Sequence, residues 1–539
     1  MQNKSMLILL LLLFVNCHPE EEEILDLNLF NKSETDETQR SEQANRLRVK
    51  NIKALRQLSL PDVKTRKEVT VLGFYEPGDG GGGVFTWNPI STEEDNGGTI
   101  ISTVDLETGR WKRIYNDTIN VKWFGAKGDG ITDDTIEIQN ALDIYGNIKF
   151  DYGIYIISKT LISIHSNRDI FSYDSAVLSL SDGALCEILI LKNCENSTVR
   201  GLKFHGNSTK NRLDIGKFTV NDVDLGLSHS SALLKIKSCK NVKVENVQIE
   251  DSFIAPVVLE NSINCKILNS ISINHKREGF GIKGGQNCVI DNCHSESASP
   301  GLAWSLYFTS GIPGDKHKHN HVLSNNIAIN AQAALMTINT TYTRVTGNVI
   351  KKTTPNHITS GPGIRLGHRQ EYNSAENCLV DNNIISGITP DIPFGNDSGN
   401  RGISVDYGTG SVISNNSITD CNAGIGNTFS GDKTIYIIRN YIENVSSYGI
   451  SVDYGQNSEI RENVLRNCSV GIRSRQKAGK IIKNKIKGFS IYGIGVFWGA
   501  SEEIGGHEIR GNILENGMEG ADYYRIDALS QQMFEGNVP

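Results

Sequence analysis

The sequence predicts an all-β solenoid in which short parallel strands stack coil upon coil. The first observation behind this prediction is a phrase in which an asparagine directly precedes a short apolar run, and it recurs eight times. The intervals between these asparagines, taken as differences of their residue numbers, are 22, 35, 33, 24, 23, 21 and 28 residues. Such intervals suit one turn of a wide solenoid and are too irregular for a helical-repeat array. The eight residues are Asn326, Asn348, Asn383, Asn416, Asn440, Asn463, Asn484 and Asn512.

A second phrase, built on Gly-Ile, falls between these asparagines. It occurs as GFGIK at 279–283, GIRL at 363–366, GISVDY at 402–407 and again at 449–454, and GIGVF at 493–497. Both phrases alternate apolar and polar residues and are rich in β-branched side chains, which is typical of strands. Strands that repeat at this period predict coils that each contact only their neighbours.

The recurring asparagine also predicts how the coils are joined at one turn. An asparagine amide is both donor and acceptor, so identical asparagines one coil apart, roughly 4.8 Å, can bond as a ladder. The alternative is that asparagine simply favours turns. Eight occurrences in register favour the ladder, and both interpretations are structural rather than catalytic.

Length, glycine content and charge limit the class of protein. A solenoid has no upper size for its core, so the 539 residues are compatible with one long domain and small appendages, and we expect a monomer. The 53 glycines and 12 prolines suit many tight turns. A net charge of −7 argues against a nucleic-acid partner.

The ten cysteines are expected to be mostly buried free thiols rather than disulfides. Four of them precede apolar strand starts, at what the sequence suggests is one place in successive coils, where a small hydrophobic side chain packs inside. The chain contains no Cys-x-x-Cys pair and no zinc spacing. The four residues are Cys239, Cys265, Cys288 and Cys378.

Residues 1–17 have the features of a targeting segment. Lys4 precedes an apolar run over 6–15, which is too short to span a bilayer and fits a signal peptide. Cys17 follows that run, an arrangement that resembles a bacterial lipoprotein signal, and the acidic residues 20–23 resemble the surface-export signal of Bacteroidetes lipoproteins. The expectation is a secreted protein, lipid-anchored through Cys17 at the outer membrane and exposed on the cell surface. A plain secretory signal is the alternative.

The rest of the chain divides by pattern. We predict a polar, acidic tether over 18–45, a small N-terminal helix plus β module over 46–118, the solenoid over 119–515, and a C-terminal tail over 516–539. Within the module, four alternating strands lie between 68 and 115. The glycine-rich loop 78–83 lacks the Gly-Lys-Ser/Thr ending of a phosphate cradle.

A family resemblance rests on Val121–Thr135 (VKWFGAKGDGITDDT) and on the preceding block 73–83 (GFYEPGDGGGG). The first motif resembles the opening of the pectate-lyase-like right-handed parallel β-helix superfamily. The second is similar to the module that precedes such helices, including those of phage tailspike depolymerases. The resemblance spans about 68–515 and implies a right-handed parallel β-helix with a capping helix near 132–144. The superfamily contains lyases, hydrolases, epimerases and receptor-binding spikes, so it leaves the reaction open.

The capping helix follows from the residues themselves. Thr132 or Asp133 is predicted to cap it, with Ile136, Ile138, Ala141 and Leu142 on the face that closes the first coil. The Asp133–Asp134 pair is therefore interpreted as a helix start, with a catalytic role as a remote alternative.

The Gly-Ile phrase predicts which residues face outward. If Ile282, Val405 and Val452 point inward, the next residue in each strand points out. The resulting strip has charges of both signs and several glycines, and it suits an extended polymer better than a compact metabolite. One column is Glu260, Lys283, Thr309, Asn339, Gly367, Asp406, Thr428, Asp453 and Arg475, and the column two residues earlier includes Tyr307, Arg365, Ser404, Ser451 and Arg473.

Three functions remain open for this strip. A polysaccharide lyase needs a base for the C5 proton of a uronate and cations for the developing enolate. A glycoside hydrolase needs two carboxylates about 5–9.5 Å apart, and Asp406 and Asp453, two coils apart, lie roughly 9.6 Å apart, with Glu260 as a further carboxylate. A surface adhesin needs only the strip.

The lyase is favoured because cations outnumber acids in the central coils, and we expect an acidic, uronate-containing polysaccharide such as a glycosaminoglycan or a pectin as the partner. The motifs of polygalacturonases and of the best-known pectate lyases are absent. Lys283 and Arg365 are the candidate carboxylate binders. The candidate proton carriers are Tyr307, His294, His321 and His368, and the candidate substrate contacts are Glu260, Arg277, Asn339, Arg369, Asp406 and Asp453.

The insertion 311–321 contains His317, His319 and His321. Alternating histidines can hold a metal, but no carboxylates stand at ligand spacing, so a basic loop that attracts an anionic polymer is favoured. The sequence contains no clear Ca²⁺ site and leaves the cofactor open.

Overall fold

The computed structural model describes residues 47–59, 67–211, 231–277, 279–297, 306–309, 318–330, 336–352, 361–367, 375–389, 400–427, 434–497, 506–526 and 532–538, with the backbone alone for 306–309, 336–337 and 532–534. These residues form a right-handed parallel β-helix preceded by a small β module, which confirms the predicted fold class. Three parallel sheets, named here A, B and C, follow one another in each coil between Asn147 and Ile526. Among the described residues, no helix has the length and apolar character needed to cross a membrane.

Sheet A contains sixteen strands and runs the length of the stack. It begins at Thr118 and ends at Glu535, so it includes residues of the segment 516–539 that the sequence analysis assigned to a tail. Its strands are Thr118–Asn120, Asn147–Phe150, Asp169–Ser172, Thr198–Arg200, Lys243–Glu245, Lys266–Leu268, Val289–Asp291, Val322–Ser324, Arg344–Thr346, Leu379–Asp381, Val412–Ser414, Tyr436–Ile438, Glu459–Arg461, Lys480–Ile482, His507–Arg510 and Gln532–Glu535.

Sheet B follows sheet A across the turn that carries the recurring asparagine. Its strands are Asp129–Asp133, Ile154–Ile157, Val177–Leu180, Lys203–His205, Gln248–Glu250, Ile271–Ile273, His294–Glu296, Ile327–Ile329, Val349–Lys351, Ile384–Ser386, Ser417–Cys421 and Ile513–Glu515. Three longer strands, Tyr441–Val452, Val464–Ser474 and Lys485–Val496, run through both sheet B and sheet C.

Sheet C contains the Gly-Ile phrases and carries the predicted strip. Isoleucine, leucine and valine side chains of all three sheets fill the interior as one continuous core. The remaining strands of sheet C are Leu161–Ser163, Leu189–Lys192, Ala232–Lys237, Ala255–Glu260, Phe280–Lys283, Leu306–Thr309, Met336–Asn339, Ile364–Leu366, Arg401–Val405, Ala423–Asn427 and Asp522–Ile526.

The N-terminal module is a five-stranded sheet with a short helix at Ile52–Arg56. Contacts with the first coil fix its position. The guanidinium of Arg113 lies 4.7 Å from the ring centroid of Trp123, and the hydroxyl of Tyr75 donates to the carbonyl of Gly125 at 3.1 Å. The strands are Leu47–Val49, Glu68–Val71, Gly83–Asn88, Ile100–Ile101 and Arg110–Arg113.

The capping helix spans Thr135–Leu142, after a 3-10 turn at Val121–Phe124, and its N-cap is Asp134. This position is one or two residues later than the predicted Thr132 or Asp133, which belong to the first strand of sheet B. Oδ1 of Asp133 nevertheless accepts the backbone N–H of Thr135, the first helical residue, at 3.1 Å. The carboxylate of Asp134 accepts from the backbone N–H groups of Lys127 and Gly128 at 2.6 and 3.0 Å, which ties the preceding loop to the helix start. Ile138, Ala141 and Leu142 are buried as expected, whereas Ile136 is exposed.

The asparagine ladder is confirmed. In every pair of successive coils from Asn326 to Asn512, the side-chain amide of one asparagine donates to the side-chain oxygen of the next at 2.9–3.0 Å. Asn512 continues the series to Asn537 at 2.9 Å. Each oxygen also accepts the backbone N–H of the preceding asparagine, as Asn416 does from Asn383 at 3.0 Å. Buried amides therefore satisfy one another along the axis.

The described cysteines are free thiols, and all except the half-buried Cys186 are buried. Cys265, Cys288 and Cys378 share one position, directly before a strand of sheet A. Cys239 does not share that position. In its coil, Val242 is the residue directly before the strand. It lies three residues earlier, where its sulfur accepts the backbone N–H of Cys194 at 3.3 Å.

Candidate functional site

The outward face of sheet C carries the described residues predicted for the strip, in the predicted order. Strand register pairs Glu260 with Lys283, Lys283 with Thr309, and Thr309 with Asn339. The second column runs from Val258 through Gly281, Tyr307, Thr337, Arg365, Ser404, Gly426 and Ser451 to Arg473. We use "the strip" for the outward residues of sheet C between Lys192 and Arg475, together with the adjoining Glu187.

At its N-terminal end the strip contains a buried ionic cluster. The ammonium of Lys235 lies 2.7 Å from Oε1 of Glu187 and 3.7 Å from Oε2 of Glu260, and Lys237 lies 3.5 Å from the same Glu260 oxygen. The side chains of Lys235 and Glu187 are only 7% and 11% exposed. Glu187, Lys235 and Lys237 were missed by the sequence analysis, although Lys235 and Lys237 continue the two outward columns by one coil.

The centre of the strip is built on Arg365 and Asp406. Nε of Arg365 lies 3.4 Å from Oδ2 of Asp406, and the hydroxyl of Ser404 donates to Oδ1 of Asp406 at 2.6 Å. Burial lowers the pKa of the Arg365 guanidinium, and the Asp406 carboxylate opposes that shift. A second guanidinium, that of Arg401, lies against Gly426, where an added β-carbon would be 2.9 Å from its Cζ. The guanidinium of a second arginine thus lies in the same outward column as Arg365, at the position of Gly426, two coils further along the stack.

Toward the C-terminal end, Asp453 is bound by Arg473. Nε of Arg473 donates to Oδ1 of Asp453 at 2.9 Å and to the hydroxyl of Ser451 at 3.1 Å. The guanidinium carbon lies 3.6 Å from the ring centroid of Tyr448, a stacked cation–π contact. Register and hydrogen bonds therefore hold this guanidinium flat against the sheet.

The accessible charge of the strip is positive among the described residues. Its acidic side chains, Glu187, Glu260, Asp406 and Asp453, are 11, 15, 6 and 11% exposed, and each contacts a cation. Lys192 and Arg475, in contrast, are exposed, Lys283 is half-buried, and the Lys237 side chain is 42% exposed. Neutralised acids beneath accessible cations make a surface that attracts anions.

Two candidate histidines do not belong to the strip. His321 lies inside the coil at the position that Cys288 and Cys378 occupy in theirs, and its Nδ1 accepts the backbone N–H of Cys288 at 3.1 Å. His294 lies on sheet B, paired in register with Ile271 and Ile327, and its Nε2 is 3.4 Å from Glu296. Neither can exchange a proton with a polymer on sheet C, so their assignment as proton carriers was wrong.

The structure describes the other candidate residues to different extents. Asn339 lies in the strip and is 5% exposed. Arg277 is half-buried in the loop before Phe280–Lys283. Tyr307 occupies its predicted register position, but only its backbone is described. His368, Arg369, His317 and Cys17 lie outside the described residues.

The buried histidines predict a loss of stability in mild acid. Burial lowers the pKa of His275 and of His321 to about 3 and that of His507 to about 4. Because the unfolded state titrates near pH 6.5, it binds more protons below that pH, and stability is lost as the pH falls. Each histidine should cost about 2 kcal/mol between pH 7 and 5. Thermal unfolding midpoints measured across that range check this, and His275→Gln should flatten the dependence. A midpoint that does not change with pH would contradict it.

No three His, Cys, Asp or Glu side chains among the described residues come together in a way that could hold a metal ion.

The fold and the strip define a class, a parallel β-helix with an elongated face whose accessible charges are positive. Residues 232–391 and 372–514 match the family model "right handed beta helix region", so the chain belongs to the right-handed β-helix family. Residues 118–305 match the model "rhamnogalacturonase A/epimerase, pectate lyase-like". Residues 48–116 match the "phage tail protein small four-stranded beta-sheet domain".

Solved structures with a similar fold differ in what they do. A tailspike of Acinetobacter baumannii bacteriophage Fri1, a capsular polysaccharide depolymerase, is 13% identical over 92% of this chain and 75% of its own, with a TM-score of 0.45. The A-module of an Azotobacter vinelandii mannuronan C-5 epimerase is 15% identical over 73% of this chain and 98% of its own, with a TM-score of 0.48. A surface adhesin of Streptococcus pneumoniae is 17% identical over 70% of this chain and 90% of its own, with a TM-score of 0.44. At these identities and TM-scores the likeness carries no conclusion about what this chain does.

Proposed function

We propose that this protein is a polysaccharide lyase that cleaves an acidic, uronate-containing polysaccharide by β-elimination on the strip. One observation carries the proposal. Every described acidic side chain of the strip is largely buried and bound to a cation, while the accessible cations stand in one outward column, with Lys192, Lys237 and Lys283 near its N-terminal end and Arg475 at its C-terminal end. Accessible cations on an elongated surface suit a polymer that carries carboxylates on its sugars.

The strip supplies the electrostatic part of the reaction. Loss of the C5 proton moves negative charge onto the uronate carboxylate, so a cation at that carboxylate stabilises the transition state more than the substrate. Lys283 and Arg365 are three coils apart, roughly 14 Å, so we assign them to the carboxylates of neighbouring sugars. The low exposure of Arg365, at 17% of its side chain, strengthens its field because little water screens it.

We assign proton transfer to a residue near Lys283 and Arg365. With His294 and His321 excluded by position, Tyr307 and His368 remain from the sequence analysis. Tyr307 is the stronger candidate because its strand lies between those of Lys283 and Arg365 in the register. Nearby cations favour the phenolate form that a base requires.

The carboxylates fit a hydrolase less well. Asp406 and Asp453 are both bound to arginines and nearly buried, whereas paired hydrolytic carboxylates must flank the scissile bond and, for inversion, a water molecule. Their arrangement instead suits a structural role, in which they hold Arg365 and Arg473 flat against the sheet.

The test is ultraviolet absorbance of the unsaturated uronate during incubation of the full chain with chondroitin sulfate, hyaluronan, heparin, polygalacturonate and alginate. Rising absorbance on one of these polymers, lost in Lys283→Ala, is the expected result. Lys351→Ala is the matched control, since Lys351 is exposed on sheet B. New reducing ends without that absorbance would establish the hydrolase, and neither signal on any polymer would favour the adhesin.

We also propose that the protein is anchored on the cell surface by lipid at Cys17. The basis is sequence alone, namely the apolar run 6–15, the cysteine behind it and the acidic residues 20–23. Anchoring would hold a depolymerase where large polymers first meet the cell.

Cys17→Ala should move the protein from the membrane fraction to the soluble fraction, because acyl chains on this residue would supply the membrane affinity. Immunoblots of the separated fractions measure this, with Cys186→Ala as the control. Unchanged membrane association of Cys17→Ala would refute the anchor.

A further inference from the structure

The turn before most described strands of sheet A contains a residue in the left-handed region, two positions before the strand. We call this series the turn column. In most of these coils it is asparagine, including Asn241, Asn264, Asn287, Asn320 and Asn377, with φ between 51° and 55°. Asparagine tolerates this conformation better than other non-glycine residues. Gly410 and Ala478, with φ of 68° and 51°, are small residues at this position, whereas Tyr342 places a bulky side chain there with a φ of 56°.

A tyrosine at this position is costly for the fold. A bulky side chain rarely adopts a positive φ, and such strain persists where function requires it. The ring is not there to fill the core, because Tyr342 is 38% exposed. The neighbouring coils show that the turn forms equally well with asparagine, so the aromatic ring serves something outside the turn.

The ring of Tyr342 borders a pocket of about 430 Å³ on the outside of sheet A. Asn287, Asn320 and Asn377 of the turn column also line it. Val322, Arg344 and Leu379, consecutive members of one outward column of sheet A, form its other side. The volume lies within the range of roughly 300–1,000 Å³ typical of small-molecule sites.

The pocket combines an aromatic face, side-chain amides and positive charge. Amides both donate to and accept from hydroxyl groups, and an aromatic ring packs against the C–H face of a pyranose. Arg344 is exposed and makes no ion pair with another described residue. The ammonium of Lys318 lies 5.0 Å from the centroid of the Tyr342 ring. Hydroxyls, an apolar ring face and an acid group are the features of an anionic sugar.

We infer that this pocket is an accessory glycan-binding site for an anionic saccharide unit, distinct from the strip because it lies on sheet A rather than sheet C. The inference rests on the proposed function for its ligand, a second stretch of the same acidic polysaccharide. A polymer held at two points remains near the strip after each cleavage, so its effective concentration there rises. The site would thus favour long chains over short ones.

The experiment is retardation of the full chain in native gels containing chondroitin sulfate, hyaluronan, heparin, polygalacturonate or alginate. Tyr342→Asn should bind at least tenfold more weakly while its thermal unfolding midpoint stays the same or rises, because asparagine relieves the strain. A merely structural tyrosine could not give that combination. Arg344→Gln should weaken retention similarly, and Tyr152→Asn, a tyrosine 77% exposed elsewhere, is the control.

The outcomes separate this site from the proposed reaction. Binding that Tyr342→Asn abolishes, in a protein that yields no unsaturated product, supports the site and rejects the lyase. Unsaturated product from a protein whose retention Tyr342→Asn does not change overturns the site and leaves the lyase standing. A wild-type chain that no polymer retards also overturns the site.

Discussion

Arg365→Ala is expected to lower the rate of polymer cleavage by about 10²–10³-fold, the loss typical when one preorganised group that stabilises transition-state charge is removed. Arg365 is fixed by Asp406 and carries its charge in a poorly solvated position, 17% exposed. The effect should fall mainly on kcat, because the extra charge on the uronate carboxylate develops only in the transition state. Initial rates of unsaturated product formation over a range of polymer concentrations measure it.

Stability has to be separated from catalysis in this experiment. Removing Arg365 takes away the guanidinium 3.4 Å from Asp406, which is 6% exposed, and breaking a buried ion pair from one side can cost about 3–5 kcal/mol. The double variant Arg365→Ala/Asp406→Ala also removes the carboxylate, so it should recover stability without recovering activity. Arg365→Lys should be intermediate, since lysine retains the charge but not the planar fork. Full activity in the folded single variant would reject the assignment.

Asn416→Ala is expected to destabilise the central coils by about 3–5 kcal/mol, because several buried polar groups lose their partners at about 1–3 kcal/mol each. The side-chain oxygen of Asn416 accepts two bonds from Asn383, at 3.0 and 2.9 Å, and its amide donates to Asn440 at 2.9 Å. Each coil of a solenoid is stabilised by its neighbours, so the loss should extend along the stack. Chemical denaturation measures the total, and amide hydrogen exchange shows which coils open.

The neighbouring Asn415 provides a matched control. It is exposed, with a φ of 53°, and its amide donates to Asp381 at 2.7 Å. Asn415→Gly keeps the turn conformation and removes only surface bonds, so it should cost less than about 1 kcal/mol. Equal effects at the two positions would show that the ladder contributes no more than an ordinary turn.

The fold was predictable because each coil repeats the same physical problem. The interior needs apolar side chains at alternate positions and the buried turn needs a self-complementary amide, so register can be obtained by aligning phrases. That reasoning placed Lys283, Asn339, Arg365 and Asp406 correctly on sheet C. The aligned columns began at Glu260 and did not include the preceding coil, so the analysis missed Lys235 and its partner Glu187.

The two misplaced histidines lie beside turns, His321 just before a strand of sheet A and His294 at the first position of a strand of sheet B, where the alternation of sheet C does not apply. His321 directly precedes a strand of sheet A, as Cys288 and Cys378 do, so the rule that predicts buried cysteines also predicts a buried histidine. His294 directly follows Cys293, just as Ile327 directly follows Asn326. This equivalent spacing places His294 at the start of a strand of sheet B. Partners across coils, such as Arg473 stacked on Tyr448, depend on side-chain directions that sequence spacing does not contain.

The ladder also keeps the coils in register along the stack. Successive rungs are 21 to 35 residues apart along the chain, yet every rung closes at 2.9–3.0 Å. Residues added between two rungs therefore leave the register of the described strands unchanged. The longest intervals, from Asn348 to Asn416, contain Arg365 and Asp406, so the connections in these coils can be lengthened or exchanged while the charges of the strip stay in place. Substrate choice and scaffold are in this way separable parts of one chain.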